Sequence, residues 1–400
     1  MIIKGKEFYF IPNYQLVKNI LKLRDFILGY LVMIYFSFFS TLYLYLPLIV
    51  KDLSLENSYI GILGTFYSLG SVLSGFFISP IIDKYKKYTI TFIRIALILQ
   101  AILIFSLLLF DNIYYYIIVL LSIGLTGAFY IGTCFSLSNN RGITVSISSL
   151  GFLIGYFIGS IVNNYKFMFI SIFFLYILGF ILLFLFILKK NESNYTQAID
   201  NNNDSIKIFF KNINIYLPLV FRHSGAAMIW LFFTYILLNY YHLDLKAIGI
   251  LNAINIVVQT FSNPLLAIFV YKINKKLISF ILVIFGYFLS ALYFILFYFV
   301  KDFHLLCILQ VLLGLSFSSL YLGNIENLIL NNKEKITALS LLSSVMSLSN
   351  LIGSFLGTIL FNLGYKFMFF VAFILSFLAL VFYILGNYKN IFNIMKAQEI

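Results

Sequence analysis

The pentapeptide Tyr165-Lys166-Phe167-Met168-Phe169 occurs twice in this chain, and its second copy is Tyr365-Lys366-Phe367-Met368-Phe369. The two copies lie 200 residues apart in a chain of 400 residues. Two further pairs keep a similar spacing: Ile60-Gly61-Ile62-Leu63 with Ile248-Gly249-Ile250-Leu251, and Leu153-Ile154-Gly155 with Leu351-Ile352-Gly353. Matches that stay in register along both halves of a chain predict an internal duplication, in which the two halves fold alike.

The composition indicates a membrane protein. Hydrophobic residues make up 62% of the chain and charged residues 10%, whereas soluble domains are about half apolar and about a quarter charged. A lipid bilayer, whose apolar core is about 30 Å thick, can accommodate this much Phe, Ile, Leu and Tyr. The net charge of +13 comes from bases scattered singly between apolar runs. That pattern favours membrane orientation over nucleic-acid binding.

Twelve segments satisfy the need of a spanning helix for about 20 mostly apolar residues. They are 26–50, 58–82, 88–110, 112–137, 143–163, 166–188, 215–241, 246–272, 277–300, 302–328, 337–361 and 365–388. We therefore expect an all-α integral membrane protein with two pseudo-symmetric six-helix bundles, 26–188 and 215–388. The Asn-rich stretch 189–214 predicts a flexible cytoplasmic linker. We also expect the N-terminal segment 1–25 and the C-terminal tail 389–400 to be cytoplasmic. Within the N-terminal segment, residues 15–23 have the pattern of an amphipathic helix that lies on the membrane interface.

The basic residues predict the orientation of the chain. With the N-terminus inside the cell, twenty Lys and Arg residues fall in cytoplasmic segments, and five fall in outside loops, at Lys51, Lys166, Lys246, Lys301 and Lys366. Cytoplasmic loops of membrane proteins carry such an excess of Lys and Arg. We therefore expect a multi-pass protein of the plasma membrane with both termini in the cytoplasm.

A short polar loop separates the second and third predicted helices, with the sequence Ser79-Pro80-Ile81-Ile82-Asp83-Lys84-Tyr85-Lys86-Lys87. It resembles the signature loop of the major facilitator superfamily, G-x-x-x-D-R/K-x-G-R-K/R, through Asp83, Lys84 and Lys87. Arg141, which opens the fifth helix, and Gly142 resemble the family's Arg-Gly after its fourth helix. With the duplication, the resemblance covers nearly the whole chain, and it implies a solute carrier that works by alternating access.

The acid of this loop is predicted to act as a gate. The carboxylate of Asp83 can pair with Arg141, or it can bind the unpaired N–H groups at a helix N-terminus. A contact that forms in only one of two conformations biases the equilibrium between them. In the second half the corresponding position is Tyr271, so the acid is absent there.

Small residues recur at every fourth position of the fifth and eleventh helices, at Gly151, Gly155 and Gly159 and at Ser349, Gly353 and Gly357. This spacing lets two helices approach each other closely. We interpret these residues as packing surfaces and not as a ligand site.

Polar residues of the seventh helix are candidates for a solute cavity, because polar groups are costly in a bilayer unless they pair or face water. This helix carries Arg222, His223 and Trp230, with Arg222 roughly 10 Å along it. Such an arginine either reaches back to the membrane interface or faces a cavity. The small residues at 225–227 favour the cavity, so we expect Arg222 or His223 to contact the solute or to gate its exit.

Other helices supply further candidates. One face of the eighth helix carries Asn252, Asn255, Gln259 and Asn263, for which interhelical hydrogen bonding is an equally good explanation. The additional cavity candidates are Gln100, Tyr130 and Asn324. Glu326 lies near the cytoplasmic end of the tenth helix, where we expect it to pair with Lys272 or Lys275.

The leading hypothesis is a secondary carrier of a small organic solute that needs no cofactor and no metal. A lipid-linked oligosaccharide flippase is the alternative within transport, but its signature does not include the Asp83 loop. A polytopic acyl- or glycosyltransferase would need clusters of catalytic His or carboxylate residues, and the three histidines here share no motif. We expect a monomer without enzymatic activity, and the residues leave a coupling proton or ion open.

Overall fold

The computed structural model describes residues 23–55, 58–162, 164–187, 205–272, 275–361 and 363–396. The described residues form helices joined by short turns, and they contain no strand. Twelve long helices, α1 to α12, follow one another along this part of the chain. Most of the amphipathic stretch 15–23 and of the predicted linker lies outside the described residues.

The first half of the molecule consists of six helices: α1 (Leu23–Asp52), α2 (Ser58–Lys84), α3 (Thr89–Ser106), α4 (Ile113–Leu137), α5 (Arg141–Val162) and α6 (Tyr165–Ile187). Two of them contain a wider π turn, at Ser74–Ile78 in α2 and at Leu153–Ile158 in α5. Such turns are frequent at functional positions. Both occur in helices that contact the second half.

The second half consists of α7 (Ile213–Asn239), α8 (Leu245–Lys272), α9 (Lys275–Phe299), α10 (Phe303–Asn331), α11 (Lys335–Phe361) and α12 (Tyr365–Lys396). Eleven of the described helices are long and apolar enough to cross a membrane. The remaining long helix, α7, has 27 residues and extends about 40 Å, more than the thickness of an apolar bilayer core. The predicted twelve-helix, all-α architecture is confirmed.

Two stretches that the sequence predicts to be irregular are helical. Residues 205–211, assigned to the flexible linker, form the short helix Ser205–Lys211. This helix packs on α2, where Ser205 Oγ donates a hydrogen bond to the carbonyl of Phe76 at 2.6 Å. The rings of Phe209 and Phe76 lie 5.8 Å apart. The linker prediction is wrong for these residues because a tertiary contact, invisible in the local composition, stabilises the helix. Likewise, α12 continues to Lys396, beyond the predicted start of the tail.

The duplicated pentapeptide opens α6 in the first half and α12 in the second. Met168 and Phe169 are buried, and so are their second copies, Met368 and Phe369. The residue before each pair, a phenylalanine in both copies, is exposed. The same residues therefore face inward and outward in both halves, as a duplication requires.

The glycine ridges are packing surfaces, as predicted. In the first half α5 packs on α1, and a Cβ added at Gly155 would lie 2.7 Å from the backbone nitrogen of Thr41. In the second half α11 packs on α7, and a Cβ added at Gly353 would lie 2.5 Å from the carbonyl of Ser224. Real Cβ atoms do not approach other atoms so closely, so these two helix pairs depend on glycine.

The two halves meet where α11 packs on α2 and α4 and where α5 packs on α8. We call one end of the molecule the basic end, because Lys84, Arg141, Lys272 and Lys335 lie there. At the basic end α2 and α8 finish, and α5 and α11 begin. Gly132 of α4 permits this contact, since a Cβ there would lie 2.8 Å from the backbone nitrogen of Ser340 in α11.

Candidate functional site

The carboxylate of Asp83, at the end of α2, caps the N-terminus of α11. Its Oδ2 accepts hydrogen bonds from the backbone N–H of Thr337 at 2.6 Å and from Thr337 Oγ1 at 2.7 Å. Asp83 is fully buried, and the unpaired N–H groups of a helix N-terminus favour a negative charge there. Of the two contacts that the sequence allows, the helix N-terminus is the one that forms, and it joins the two halves.

Arg141 pairs with Glu326 and not with Asp83. Arg141 Nη1 lies 3.0 Å from Glu326 Oε1 and 2.9 Å from Glu326 Oε2, in a salt bridge between α5 and α10. The expected pairing of Glu326 with Lys272 or Lys275 is wrong, because Arg141 forms the salt bridge to Glu326, while the ammonium of Lys275 stands 4.7 Å from the ring centre of Tyr271. Glu326 is buried, and this salt bridge also joins the two halves.

Tyr271, which corresponds to Asp83 in the second half, makes the corresponding contact at the N-terminus of α5. Its hydroxyl accepts a hydrogen bond from the backbone N–H of Arg141 at 3.4 Å. The same hydroxyl lies 3.1 Å from Glu326 Oε1. Each half therefore holds the first turn of a helix of the other half. We call Asp83, Thr337, Arg141, Glu326 and Tyr271 the basic-end latch.

The two matching lysines of the signature loop lie beside the latch at the surface. Lys84 and Lys87 are both exposed. Their ammonium groups stand 5.8 Å and 5.9 Å from the ring centres of the adjacent Tyr85 and Tyr88. These are contacts between neighbours in the chain, so neither lysine connects the halves in this structure.

A small pocket lies between α7, α10 and α11. Three predicted cavity residues line it together, namely Arg222, His223 and Asn324. The rest of its wall is mainly apolar and consists of Leu219, Phe317, Leu320, Tyr321, Leu342 and Met346. Its lining, mainly apolar with a few convergent polar groups, is that of a small-molecule site, but its free volume of about 10 Å³ is far below the roughly 300 Å³ or more of such sites.

The side chain of Arg222 is 1% exposed and is anchored on one side only. Its Nε donates a hydrogen bond to Ser290 Oγ at 2.8 Å. The hydroxyls of Ser290 and Ser316 are 2.6 Å apart, and Ser316 Oγ donates to the carbonyl of Gly286 at 2.9 Å. Arg222 Nη2 has no hydrogen-bond partner among the described residues. The serines thus hold Nε of the guanidinium and leave Nη2 unpaired.

His223 and Trp230 lie on one face of α7, and their rings meet edge to face at 5.7 Å. His223 is buried, with Nδ1 unpaired among the described residues, and the side chain of Asn350 is within hydrogen-bonding reach of the imidazole. Trp230 stands two turns farther from the basic end and is 40% exposed. Trp230 does not line the pocket around Arg222, so of these two residues only His223 contributes to it.

Asn324 contributes a second polar group to the pocket wall, and its side chain is 1% exposed. It lies within hydrogen-bonding reach of the hydroxyl of Tyr287 on α9, although neither group makes a well-aligned hydrogen bond among the described residues. Buried polar groups in proteins are nearly always hydrogen-bonded, and this pair can largely satisfy each other.

The amides of α8 lie at the interface between the halves. Gln259 Nε2 donates to Asn255 Oδ1 at 2.9 Å. Next to these amides, the carbonyl of Thr260 in α8 accepts a hydrogen bond from Ser146 of α5. The hydroxyl of Ser262 in α8 donates a hydrogen bond to Ser318 of α10. Asn252 is half-buried one turn farther on. None of these amides lines the pocket around Arg222.

Gln100 and Tyr130 lie inside the first half, away from the Arg222 pocket. Gln100 Nε2 donates to the carbonyl of Ile123 at 2.9 Å and to Thr126 Oγ1 at 2.6 Å, and Gln100 Oε1 accepts from Tyr176 at 3.3 Å. These bonds connect α3, α4 and α6, so they explain Gln100 as an interhelical contact. Tyr130 is fully buried, with its hydroxyl unpaired among the described residues.

Sequence reasoning missed Tyr287 and Ser290 in α9 and Thr337 in α11. Tyr287 and Ser290 are three residues apart, so they share one helix face, and both are buried against α10. A search for polar residues at helical spacing in the ninth segment would have found them. Thr337 carries no comparable signal, because its role depends on how the two halves dock.

The fold and the site together define the class of protein. It is a multi-pass helical membrane protein whose two halves contact each other through the latch at the basic end and have polar groups between their helices. The sequence profile of the Major Facilitator Superfamily matches residues 27–238 and again residues 215–391. The chain belongs to this superfamily of membrane transporters, so the resemblance of the signature loop is confirmed. Among curated proteins, no sequence matches the chain.

Among solved structures, the fold is similar to that of the human organic anion transporter MFSD10 (TETRAN). The TM-score is 0.68, and the match covers 90% of this chain and 98% of that chain. Sequence identity is 11%. The likeness therefore concerns the fold.

Proposed function

We propose that this protein is a secondary carrier that moves a small organic solute across the plasma membrane by alternating access. In this proposal the moving bodies are the bundles 26–188 and 215–388. Each chain supplies both halves of the transport path, so the monomer is the working unit. Both termini and the basic end face the cytoplasm, in keeping with the excess of basic residues there.

The observation that carries this proposal is the buried polar pocket around Arg222, at a depth that only a solute path explains well. Arg222 stands nine residues from the start of α7, about 14 Å along the helix. Charged residues at such depth mark substrate or ion pathways by default. In the pocket, Nη2 of Arg222 lacks a partner among the described residues, and His223 and Asn324 lie beside it.

We also propose that the structure represents the state closed at the cytoplasmic side, and the latch supports this assignment. Three of its contacts join the halves at the basic end, namely Asp83 with Thr337, Arg141 with Glu326 and Tyr271 with the backbone of Arg141. Opening the basic end would break the bond of Asp83 to Thr337 and the salt bridge of Arg141 together. The latch would therefore set the balance between outward-open and inward-open states.

The proposal is tested by a thermal-shift screen of the purified full-length protein against a broad panel of organic solutes. A ligand that binds the native state raises the melting temperature by mass action. Ligands found in this way are then tested for uptake into proteoliposomes. The carrier proposal predicts saturable uptake that Asp83→Asn reduces strongly. Binding without uptake in either direction would contradict it.

A further inference from the structure

Resting on the carrier function just proposed, we infer that the Arg222 pocket binds the carboxylate of an organic acid with an apolar body. Arg222 would hold the carboxylate, and the apolar wall of the pocket would hold the remainder of the molecule. The proposed substrate class is thus an organic anion, and its recognition depends on the surroundings of Arg222.

The first argument is that the cation of Arg222 lacks a counter-ion. No carboxylate of the described residues pairs with it, and its Nε donates a hydrogen bond to the neutral hydroxyl of Ser290. A charge that is 1% exposed cannot draw stabilisation from bulk water. Buried charges persist where they are paired, so the missing partner is expected to come from outside the chain.

The second argument is geometric. Ser290 holds Nε of Arg222 and leaves Nη2 unpaired among the described residues. Nη2 can therefore donate a charge-assisted hydrogen bond to a carboxylate oxygen. Asn324 lines the same pocket, within hydrogen-bonding reach of Tyr287, and its amide could exchange that contact for a carboxylate oxygen.

The third argument concerns the rest of the ligand. Beyond the polar groups, the pocket wall is formed by apolar and aromatic side chains, including Phe317, Leu320, Leu342 and Met346. In this state the free space beside the polar groups is about 10 Å³, room for roughly one water molecule. The apolar side chains therefore have to move apart to admit an aliphatic or cyclic body, whose burial would then contribute to affinity.

Arg94 provides a contrast within the same chain. It also lies in a helix, and its Nε and Nη2 are likewise unpaired among the described residues, but it is only half-buried, and its guanidinium stands 5.6 Å from the ring centre of Phe184. It lies five residues from the start of α3 at the basic end, where a long side chain can reach the interface. The pocket that holds Arg222 does not include it. Arg94 therefore serves as the matched control for Arg222.

The experiment uses Trp230, the one tryptophan of the chain, as a built-in reporter next to His223. Tryptophan emission of the purified full-length protein is titrated with hexanoate and cyclohexanecarboxylate, and with hexanamide and cyclohexanecarboxamide as uncharged counterparts. Chloride and inorganic phosphate form a third arm. The inference predicts saturable binding of at least one acid, with its amide and both inorganic anions at least tenfold weaker.

The variants separate binding by Arg222 from a general loss of structure. Arg222→Gln should weaken the acid at least about 30-fold, the range for removal of one partner of a buried charge pair. Arg222→Lys, which keeps the charge but loses the planar fork, should fall between Arg222→Gln and the native protein. Arg94→Gln should leave acid binding unchanged. Ser290→Ala, which keeps Arg222 but releases Nε, should weaken the acid even if Arg222→Gln fails to fold.

Several results would overturn the inference. They are failure of both acids to bind, equal binding of acid and amide, inorganic anions binding as tightly as the acids, and full acid affinity in folded Arg222→Gln. If a neutral or cationic solute from the broad screen is bound and transported instead, the carboxylate assignment fails while the carrier proposal stands. If no solute is transported, the carrier proposal itself fails.

Discussion

Asp83→Asn tests how strongly one carboxylate holds the basic end closed. In the native protein Oδ2 of Asp83 accepts two hydrogen bonds from Thr337, at 2.6 Å and 2.7 Å. Asparagine keeps the size and one acceptor oxygen but loses the negative charge. The contact exists only while the halves meet at the basic end, so the substitution should destabilise the closed state selectively.

The magnitude follows from the geometry. A hydrogen bond to a charged group contributes about 1.5–3 kcal/mol, against about 1 kcal/mol for a neutral one. A charge at a helix N-terminus adds roughly 0.3–1 kcal/mol. Since asparagine retains part of the bonding, we expect a net loss of about 1–2 kcal/mol for the closed state. That loss corresponds to a shift of about 5- to 30-fold toward opening of the basic end.

The shift can be measured as a distance between two spin labels at the basic end. Lys87 in the first half and Lys272 in the second are both exposed there. They can be replaced by cysteine once Cys134 and Cys307, the native cysteines, are replaced by serine. Double electron–electron resonance on the reconstituted protein then gives the populations of short and long distances.

Thr337→Val is the matched control because it removes the Oγ1 donor and keeps the backbone N–H. It should produce a smaller shift in the same direction, and the double variant should shift less than the sum of the two single variants. An unchanged distance distribution in Asp83→Asn, together with native thermal stability, would refute the latch. Asp83 would then only mark topology.

Three further predictions concern the salt bridge of the latch, the packing of α5 on α1 within the first half, and the topology. Glu326→Gln should favour opening of the basic end, and Arg141→Glu combined with Glu326→Arg should restore closure in the same distance measurement, whereas no rescue would contradict the salt bridge. Gly155→Ala should destabilise the protein by about 1–3 kcal/mol through overpacking, while Gly64→Ala, whose added Cβ would have its nearest neighbour at 3.7 Å, should melt like the native protein. A cysteine at Asn202 in intact cells should react only with permeant reagents, and labelling by an impermeant reagent from outside would overturn the predicted orientation.

The architecture could be predicted because its causes are local. A run of about 20 apolar residues has few alternatives to a spanning helix, and the duplicated pentapeptide at Tyr165 and Tyr365 places the two halves in register. The short helix Ser205–Lys211 escaped prediction because it depends on the contact of Phe209 with Phe76, 133 positions away in the sequence. Local composition alone favoured a linker there.

The members of the candidate site were easier to predict than their partners. Arg222, His223 and Asn324 stand out because each is a polar residue in an apolar helix, and they line one pocket together. The partner of Arg222 is Ser290, 68 residues away on α9, and one helix's periodicity does not show which neighbour it will face. The same reason explains why Glu326 pairs with Arg141 across 185 residues and not with a nearby lysine.

Alternating access is the central claim, and the accessibility of Met346 tests it most directly. Met346 lines the Arg222 pocket on α11 and is half-buried. A cysteine at this position, in the protein without native cysteines, is exposed in vesicles to an impermeant thiol reagent from one side at a time. The account predicts labelling from the outside in the native background, and a gain of labelling from the cytoplasmic side when Asp83→Asn is added. Labelling from one side only, unchanged by Asp83→Asn and by Glu326→Gln, would contradict it.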